Sequence, residues 1–195
     1  MKTFWMTFIS LALLASIAAA EPAKTTPPEN GTYKKYFDSG ALKAVEKYRD
    51  SQLNGPAKYY FENGKIAAET NFKKGLTDGT EKIYYENGNI KREAAFTAGK
   101  IQGTMKLYDQ DGNLTNEVTV ADGLRDGVAK AFWPNKAVKE DCLYKSDQLQ
   151  SCSYYNDQGT LSAKSQLDPQ NPKRTIYLNY DKDGKVVQAQ QSIKE

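Results

Sequence analysis

The chain has 195 residues with 27 basic and 24 acidic side chains, two cysteines, no histidine and a formal net charge of +3. A balance this small argues against nucleic acid, whose binders gather basic charge on one face. The lack of histidine removes Ser/His/Asp and Cys/His catalysis, imidazole acid–base chemistry and His-containing zinc sites.

Residues 1–20 read as a cleaved secretory signal. Lys2 gives a positive start, Phe4 to Ala20 is apolar and small, and Ala18-Ala19-Ala20 precedes Glu21-Pro22. The stretch approaches the ~17–25 residues that span a bilayer, but its Ala-rich end and the proline just beyond favour cleavage over a membrane anchor. No cysteine stands at the junction to carry a lipid, so the expected product is soluble, in the periplasm or secreted. Residues 21–30 hold Pro22, Pro27 and Pro28 and no large apolar side chain, and read as a flexible linker.

Residues 31–195 are a repeat domain. Gly31, Gly55, Gly79, Gly103 and Gly127 stand 24 residues apart, and each is followed at +5 by an aromatic: Tyr36, Tyr60, Tyr84, Tyr108, Phe132. A turn glycine recurs at +9 (Gly40, Gly64, Gly88, Gly112) and an aliphatic residue at +11 (Leu42, Ile66, Ile90, Leu114, Val138). Two further copies, slightly out of step, centre on Tyr155-Gly159-Leu161 and Tyr180-Gly184-Val186. A period this short makes each unit one supersecondary element whose core exists only through its neighbours.

Each unit reads as a β-hairpin. Asn63-Gly64, Asn87-Gly88 and Asp111-Gly112 lie between runs rich in aromatic and β-branched residues, which predicts two-residue type I′ turns. A looser Gly-x-x-x-Gly turn joins one unit to the next, as from Gly75 to Gly79. The predicted fold is all-β: an elongated, single-layer antiparallel β-meander of about seven hairpin repeats, with up to fourteen strands. With Asn63-Gly64 central, Lys58 faces Glu69, Tyr60 faces Ala67, Phe61 faces Ile66 and Glu62 faces Lys65. The same arithmetic sets Lys82 opposite Glu93, Lys106 opposite Glu117 and Lys130 opposite Asp141. One face then carries the lysines, the +5 aromatics and the acids. The other carries Tyr59, Phe61, Ile66 and Phe72 in unit two, Ile83, Tyr85, Ile90 and Phe96 in unit three, and Trp133, Val138 and Tyr144 in unit five. This second face is the one expected to be buried.

The remaining chemistry is sparse. Cys142 and Cys152 fall on adjacent predicted strands, and with no further ligand-type neighbours a disulfide is favoured over a reactive thiol or a metal site. Asp109-x-Asp111-x-Asn113 opens like a calcium loop, but Leu114 and Val120 occupy the sixth and twelfth positions, where glycine and glutamate are needed. The repeated acids suit a structural ladder better than a unique carboxylate pair for sugar chemistry. No catalytic, cofactor or metal residue is assigned, and the chain is not expected to be an enzyme.

The pattern Tyr-x-x-x-Gly-x-(Leu/Ile)-x-x-Glu-x-x-(Phe/Tyr)-x-x-Gly-x-x-x-Gly-x-x-Lys, carried by Tyr60, Gly64, Ile66, Glu69, Phe72, Gly75, Gly79 and Lys82, resembles the bacterial variant of the MORN repeat. It recurs from Tyr84 to Lys106 and weakens toward the ends. Val45 replaces the acid in unit one, Lys136 the turn glycine in unit five, and Gln150 and Thr175 the leading glycines of units six and seven. Ala163 to Arg174, with Pro169 and Pro172, reads as an irregular insertion before an atypical seventh hairpin. The resemblance implies a twisted antiparallel sheet without catalysis of its own. Some bacterial relatives are immunity or antitoxin-type proteins, and MORN repeats elsewhere belong to membrane-linked scaffolds. The expected function is therefore a non-catalytic exported protein-binding module, an immunity-type partner of a secreted toxin. The alternative is an envelope-associated scaffold or surface protein contacting polysaccharide or lipid headgroups. The expected contact strip comprises Tyr36, Tyr60, Tyr84, Tyr108 and Phe132 with Lys58, Lys82 and Lys106.

Overall fold

A computed structural model describes residues 26–193. The predicted signal, and residues 21–25 of the predicted linker, lie outside the described residues. At the end of that linker, the Asn30 side chain accepts from the Asp50 amide at 3.1 Å and the Glu29 carbonyl from the Ser51 amide at 2.8 Å.

The described chain is one antiparallel sheet of 17 strands, built almost wholly from sequence neighbours. The first three hairpins are β1 (Gly31–Tyr36) with β2 (Leu42–Arg49), β4 (Gly55–Tyr60) with β5 (Ile66–Lys73), and β7 (Gly79–Tyr84) with β8 (Ile90–Thr97). Two-residue strands β3 (Gln52–Leu53), β6 (Leu76–Thr77) and β9 (Lys100–Ile101) fill the joins. The fourth hairpin is β10 (Gly103–Tyr108) with β11 (Leu114–Ala121), the fifth β12 (Leu124–Phe132) with β13 (Val138–Lys145). The sixth is β14 (Gln148–Tyr155) with β15 (Leu161–Asp168), the seventh β16 (Asn171–Tyr180) with β17 (Val186–Ile193). The seven long-strand pairs are the expected β-meander. No helix occurs among the described residues.

The tips differ from the expected two-residue turn. Phe61 N–H donates to the Lys65 carbonyl at 2.8 Å and Gly64 N–H to the Phe61 carbonyl at 2.9 Å. Glu62 and Asn63 are thus the centre of a type I turn. Gly64, at φ +82°, closes it in the left-handed region, the three-residue loop of a type I turn with a glycine bulge. Asn63, Asn87 and Asp111 are not among the residues with positive φ, which excludes type I′. The same pair of bonds closes all seven hairpins. In the fifth, Lys136 occupies the left-handed position at φ +69°.

The longer loop changes the register beside the turn. Tyr60 pairs with Ile66, not Ala67, and Phe61 lies against Lys65, not Ile66. A bulge then absorbs one residue, so that Tyr59 pairs with Ala68 and Lys58 with Glu69, as expected. The same shift recurs at Ile83/Tyr84, Leu107/Tyr108 and Ala131/Phe132. Paired residues share a face, so Ile66, Ile90 and Val138 belong with Tyr60, Tyr84 and Phe132, contrary to the expected assignment.

Every fully buried position lies on the expected face, but the residues there are small. Ala57, Thr70, Ala94, Cys142, Cys152 and Ser165 lie in one row through the sheet with Glu46, and Ala44 and Val120 stand two positions to either side of it. Tyr59, Phe72, Ile83 and Phe96 are only half-buried. One layer cannot seal large rings on both sides, so they lean over the small side chains between them. Glu46, 2% exposed, accepts from the Tyr48 hydroxyl at 2.9 Å and pairs with the Lys35 ammonium at 3.0 Å. Burial first, then the neighbouring Glu46 carboxylate, pushes Tyr48 and Tyr59 up to about 12.

The C-terminal part is more regular than expected. Within Ala163 to Arg174 the strands β15 and β16 pair from Ala163–Asn179 to Leu167–Thr175 and again at Asp168–Asn171, with Pro169 and Gln170 as the turn, so the expected irregularity is confined to residues 172–174, which the register skips. Both long edges are stitched from one repeat to the next. Ser51, Gly75, Gly99, Gly123 and Asp147 each donate a backbone N–H to a carbonyl 22 residues earlier, at 2.8–3.0 Å. At the tips, the Tyr85 hydroxyl donates to the Tyr108 carbonyl at 2.8 Å and the Trp133 indole to the Tyr155 carbonyl at 3.0 Å.

Candidate functional site

The face opposite the small-residue row is built from three parallel lines of side chains. The central line is ionic. Within hairpins, Lys58 pairs with Glu69 at 2.8 Å, Lys82 with Glu93 at 3.4 Å, Lys106 with Glu117 at 3.7 Å and Lys130 with Asp141 at 3.7 Å. Between hairpins, Glu69 lies opposite Lys82, Glu93 opposite Lys106 and Glu117 opposite Lys130. The result is one row of eight alternating charges across eight adjacent strands, with no net charge. Every member is about one-third to one-half exposed, so each pair is individually weak. Their combined effect is on register, because a one-residue slip would break the whole row.

The second line runs beside the tips. Tyr36 pairs with Leu42, Tyr60 with Ile66, Tyr84 with Ile90, Tyr108 with Leu114 and Phe132 with Val138. Tyr36, in the outermost hairpin, is 49% exposed, and the other four aromatics are half-buried. The structure therefore brings the expected strip residues onto one face. It does not leave the lysines free: Lys82 and Lys106 lie between two carboxylates and Lys58 meets Glu69. The two lines are also linked. Tyr84 donates its hydroxyl hydrogen to Glu69 Oε2 at 2.8 Å. Burial and then that bond push Tyr84 up to about 12. Bonds from Lys58 and then from Tyr84 hold Glu69 below its ordinary value.

The third line was missed at the level of sequence. It sets Pro56 against Asn71, Thr80 against Ala95, Thr104 against Thr119 and Val128 against Leu143. It is uncharged and mostly exposed, with Val128 44% and Leu143 46% accessible. These residues follow the same pairing arithmetic as the lysines, two positions further from the tip, and that was the signal available. Also missed was the Glu81–Arg92 ion pair on the opposite face, since its partners sit diagonally rather than directly across the hairpin.

Nothing among the described residues composes a catalytic or metal centre. The grouping of Glu140 with Cys142 and Cys152 is not a metal site, because the two sulfurs are joined in a disulfide, as expected. The cysteines face each other directly on β13 and β14, Cα atoms 3.9 Å apart. Asp109 is a turn residue, its Oδ1 accepting from the amides of Asp111 at 3.0 Å and Asn113 at 2.9 Å. Those bonds, Asn113's first, hold its carboxyl below the ordinary range. A groove of about 640 Å³ beside the tips includes Phe61, Tyr84, Tyr85 and Gln110, with no nucleophile–base pair in it.

The family described as MORN repeat variant matches residues 53–74, 77–97 and 101–122, the stretch where the hairpins are most regular. No curated protein matches the chain. Among solved structures, the crystal structure of TcdB2-TccC3-TEV is 13% identical at a TM-score of 0.25, over 83% of this chain and 12% of that one. That of TcdB2-TccC3 is 12% identical at 0.24, over 76% of this chain and 11% of that one. The chain thus spans about 12% of the length of these structures, and scores this low carry no argument about fold or function.

Proposed function

We propose that this chain is a non-catalytic, exported protein-binding module that uses the three-lined face, and that its partner is a secreted toxin held in check as by an immunity protein. The observation that carries the binding role is that one sheet layer leaves this face uncovered among the described residues, with an apolar line and an uncharged line flanking a neutral ladder. Contiguous exposed surface of low net charge is what protein partners cover. Repeat arrays present such surface over a long, continuous span. The toxin as partner rests on the resemblance to immunity-type repeat proteins together with the predicted export signal. Among the described residues no helix is long and apolar enough to cross a membrane.

Contact with lipid headgroups or polysaccharide has less to support it. An anionic surface is recruited by unpaired basic residues, and the ladder lysines are already matched by carboxylates. The test is capture from a periplasmic extract, read by mass spectrometry, with Tyr60→Ser/Tyr84→Ser alongside. Capture of a discrete protein that weakens in the well-folded double variant supports the reading. Equal capture by both proteins moves the contact to the other face. Failure to protect cells from a co-encoded toxin removes the immunity role.

A further inference from the structure

The geometry points to a second copy of this chain as an occupant of the three-lined face, stacked face to face about a two-fold axis that runs parallel to the strands between Glu93 and Lys106. This rests on the reading of that face as a contact surface and names its occupant when the toxin is not bound.

The argument begins with order. From Lys58 to Asp141 the ladder alternates lysine and acid across eight strands. An axis parallel to the strands reverses that order in the second copy. Glu93 then meets the second copy's Lys106, and Lys82 its Glu117, with opposite signs at every rung. The same operation keeps the lines in place along the strands, so each aromatic meets an aliphatic residue: Tyr84 lies over Leu114 and Ile90 over Tyr108. In the uncharged line Thr80 lies over Thr119. An axis across the strands would instead set lysine on lysine, so the signs select an axis parallel to the strands, and the one between Glu93 and Lys106 overlaps all eight rungs. A two-fold interface must be self-complementary in this sense.

Spacing narrows the occupant further. The charges repeat at the strand separation of about 4.8 Å, and the surface that repeats at this interval is another sheet with its strands aligned. Sheets stack with strands within about 30° of each other, so the match is closest at the axis and loosens toward the outer rungs. Eight strands span about 38 Å and three lines about 20 Å, giving roughly 750 Å² on each copy. The total of about 1,500 Å² falls within the range of stable, specific interfaces.

Two charge-swap variants test it. Lys82→Glu/Glu93→Lys keeps the pair inside its hairpin but puts like charges across the two-fold axis. Adding Lys106→Glu/Glu117→Lys restores opposite signs at every rung between copies. Both variants carry the same number of like-charge seams within one chain, two each, so their effect on folding is matched. The measurement is sedimentation-velocity mass of the full protein as purified after export, with circular dichroism to establish the fold. The expected result is a dimer for the wild type, a dissociation constant at least tenfold weaker for the two-site swap, and recovery of the dimer in the four-site swap. A monomeric wild type at 100-fold above micromolar concentration overturns the proposal. So does a two-site swap that dimerises as before, a four-site swap that does not recover, or mass that grows without limit through the edge strands β1 and β17. Loss of the dimer with partner capture intact leaves the proposed function standing, whereas loss of capture with the dimer intact removes that function alone.

Discussion

Tyr84 reaches from the first strand of its hairpin to Glu69 on the second strand of the hairpin before, donating its hydroxyl hydrogen to Oε2 at 2.8 Å. The bond ties the apolar line to the ionic one and joins two repeats that the chain connects only through a loop. Because it needs a protonated phenol and an ionised carboxylate, it also sets limits on pH.

At high pH, stability is expected to fall between about 10 and 12. Tyr48, Tyr59 and Tyr84 are raised from 10.0 to about 12 by burial and by their carboxylate neighbours. A folded-state value above the unfolded one contributes stability that is complete below the unfolded value and lost as pH rises through the folded one. Glu69, held low, acts in the other direction: its contribution is present above the ordinary carboxylate range and lost as pH falls through its lowered value. Thermal melts across pH, with phenolate absorbance followed in parallel, check both limbs. In Tyr84→Phe the alkaline loss should shrink.

Replacing Gly64 with Val should destabilise the protein by about 1–2 kcal/mol, the cost of a side chain in the left-handed region. Lys65→Val, one position later and exposed, should change stability by less than about 0.5 kcal/mol. Urea titration of the two variants separates them. Equal midpoints would mean that the tip does not hold the type I geometry.

Lys136 supplies the converse test. It is the non-glycine residue at the closing position of the fifth tip, at φ +69°. Lys136→Gly relieves that conformation and should raise stability by up to about 1 kcal/mol, net of the entropy a glycine loses on folding. A lower denaturation midpoint would show that the lysine side chain contributes more than its backbone costs.

Reducing the Cys142–Cys152 bridge, or replacing both residues with serine, should destabilise by less than about 3 kcal/mol, because the loop it closes is short. Joined in a disulfide, neither residue carries a thiol, so neither should react with an alkylating reagent in the unreduced protein, native or unfolded. Stoichiometric labelling without reductant would contradict the bridge.

Cleavage after Ala20 is expected to leave a chain beginning at Glu21. N-terminal sequencing of protein recovered from the periplasmic fraction reads this directly, and an uncut N-terminus in the membrane fraction would contradict it.

The hairpins, their number and the Lys–acid partners were legible in the sequence because a 24-residue period repeats each choice several times over. The turn type was not. Asn63-Gly64 suits a type I′ centre and also the last two positions of a type I turn with its bulge, and composition does not separate them. The second difference, the bulge near Ala67, leaves no mark, since alanine sits on either face at little cost. The two offsets are of one residue each and opposite in effect, so Lys58 still met Glu69 while Ile66 changed sides. The uncharged third line stayed hidden for another reason: threonine, alanine and proline at those positions look like neutral filler until the pairing places them side by side.

The backbone bonds that run from the first five inter-repeat turns to carbonyls 22 residues earlier act as a length standard. Removing or duplicating one complete 24-residue unit leaves each surviving turn with an equivalent acceptor, and leaves the sign alternation of the ladder unbroken. Removing a single residue within a unit displaces one donor from its carbonyl and turns the rest of that strand to the other face, unless a bulge takes up the difference. Such a chain can be lengthened or shortened in whole repeats at little cost to its folding, so the span of surface it offers is adjustable in steps of two strands.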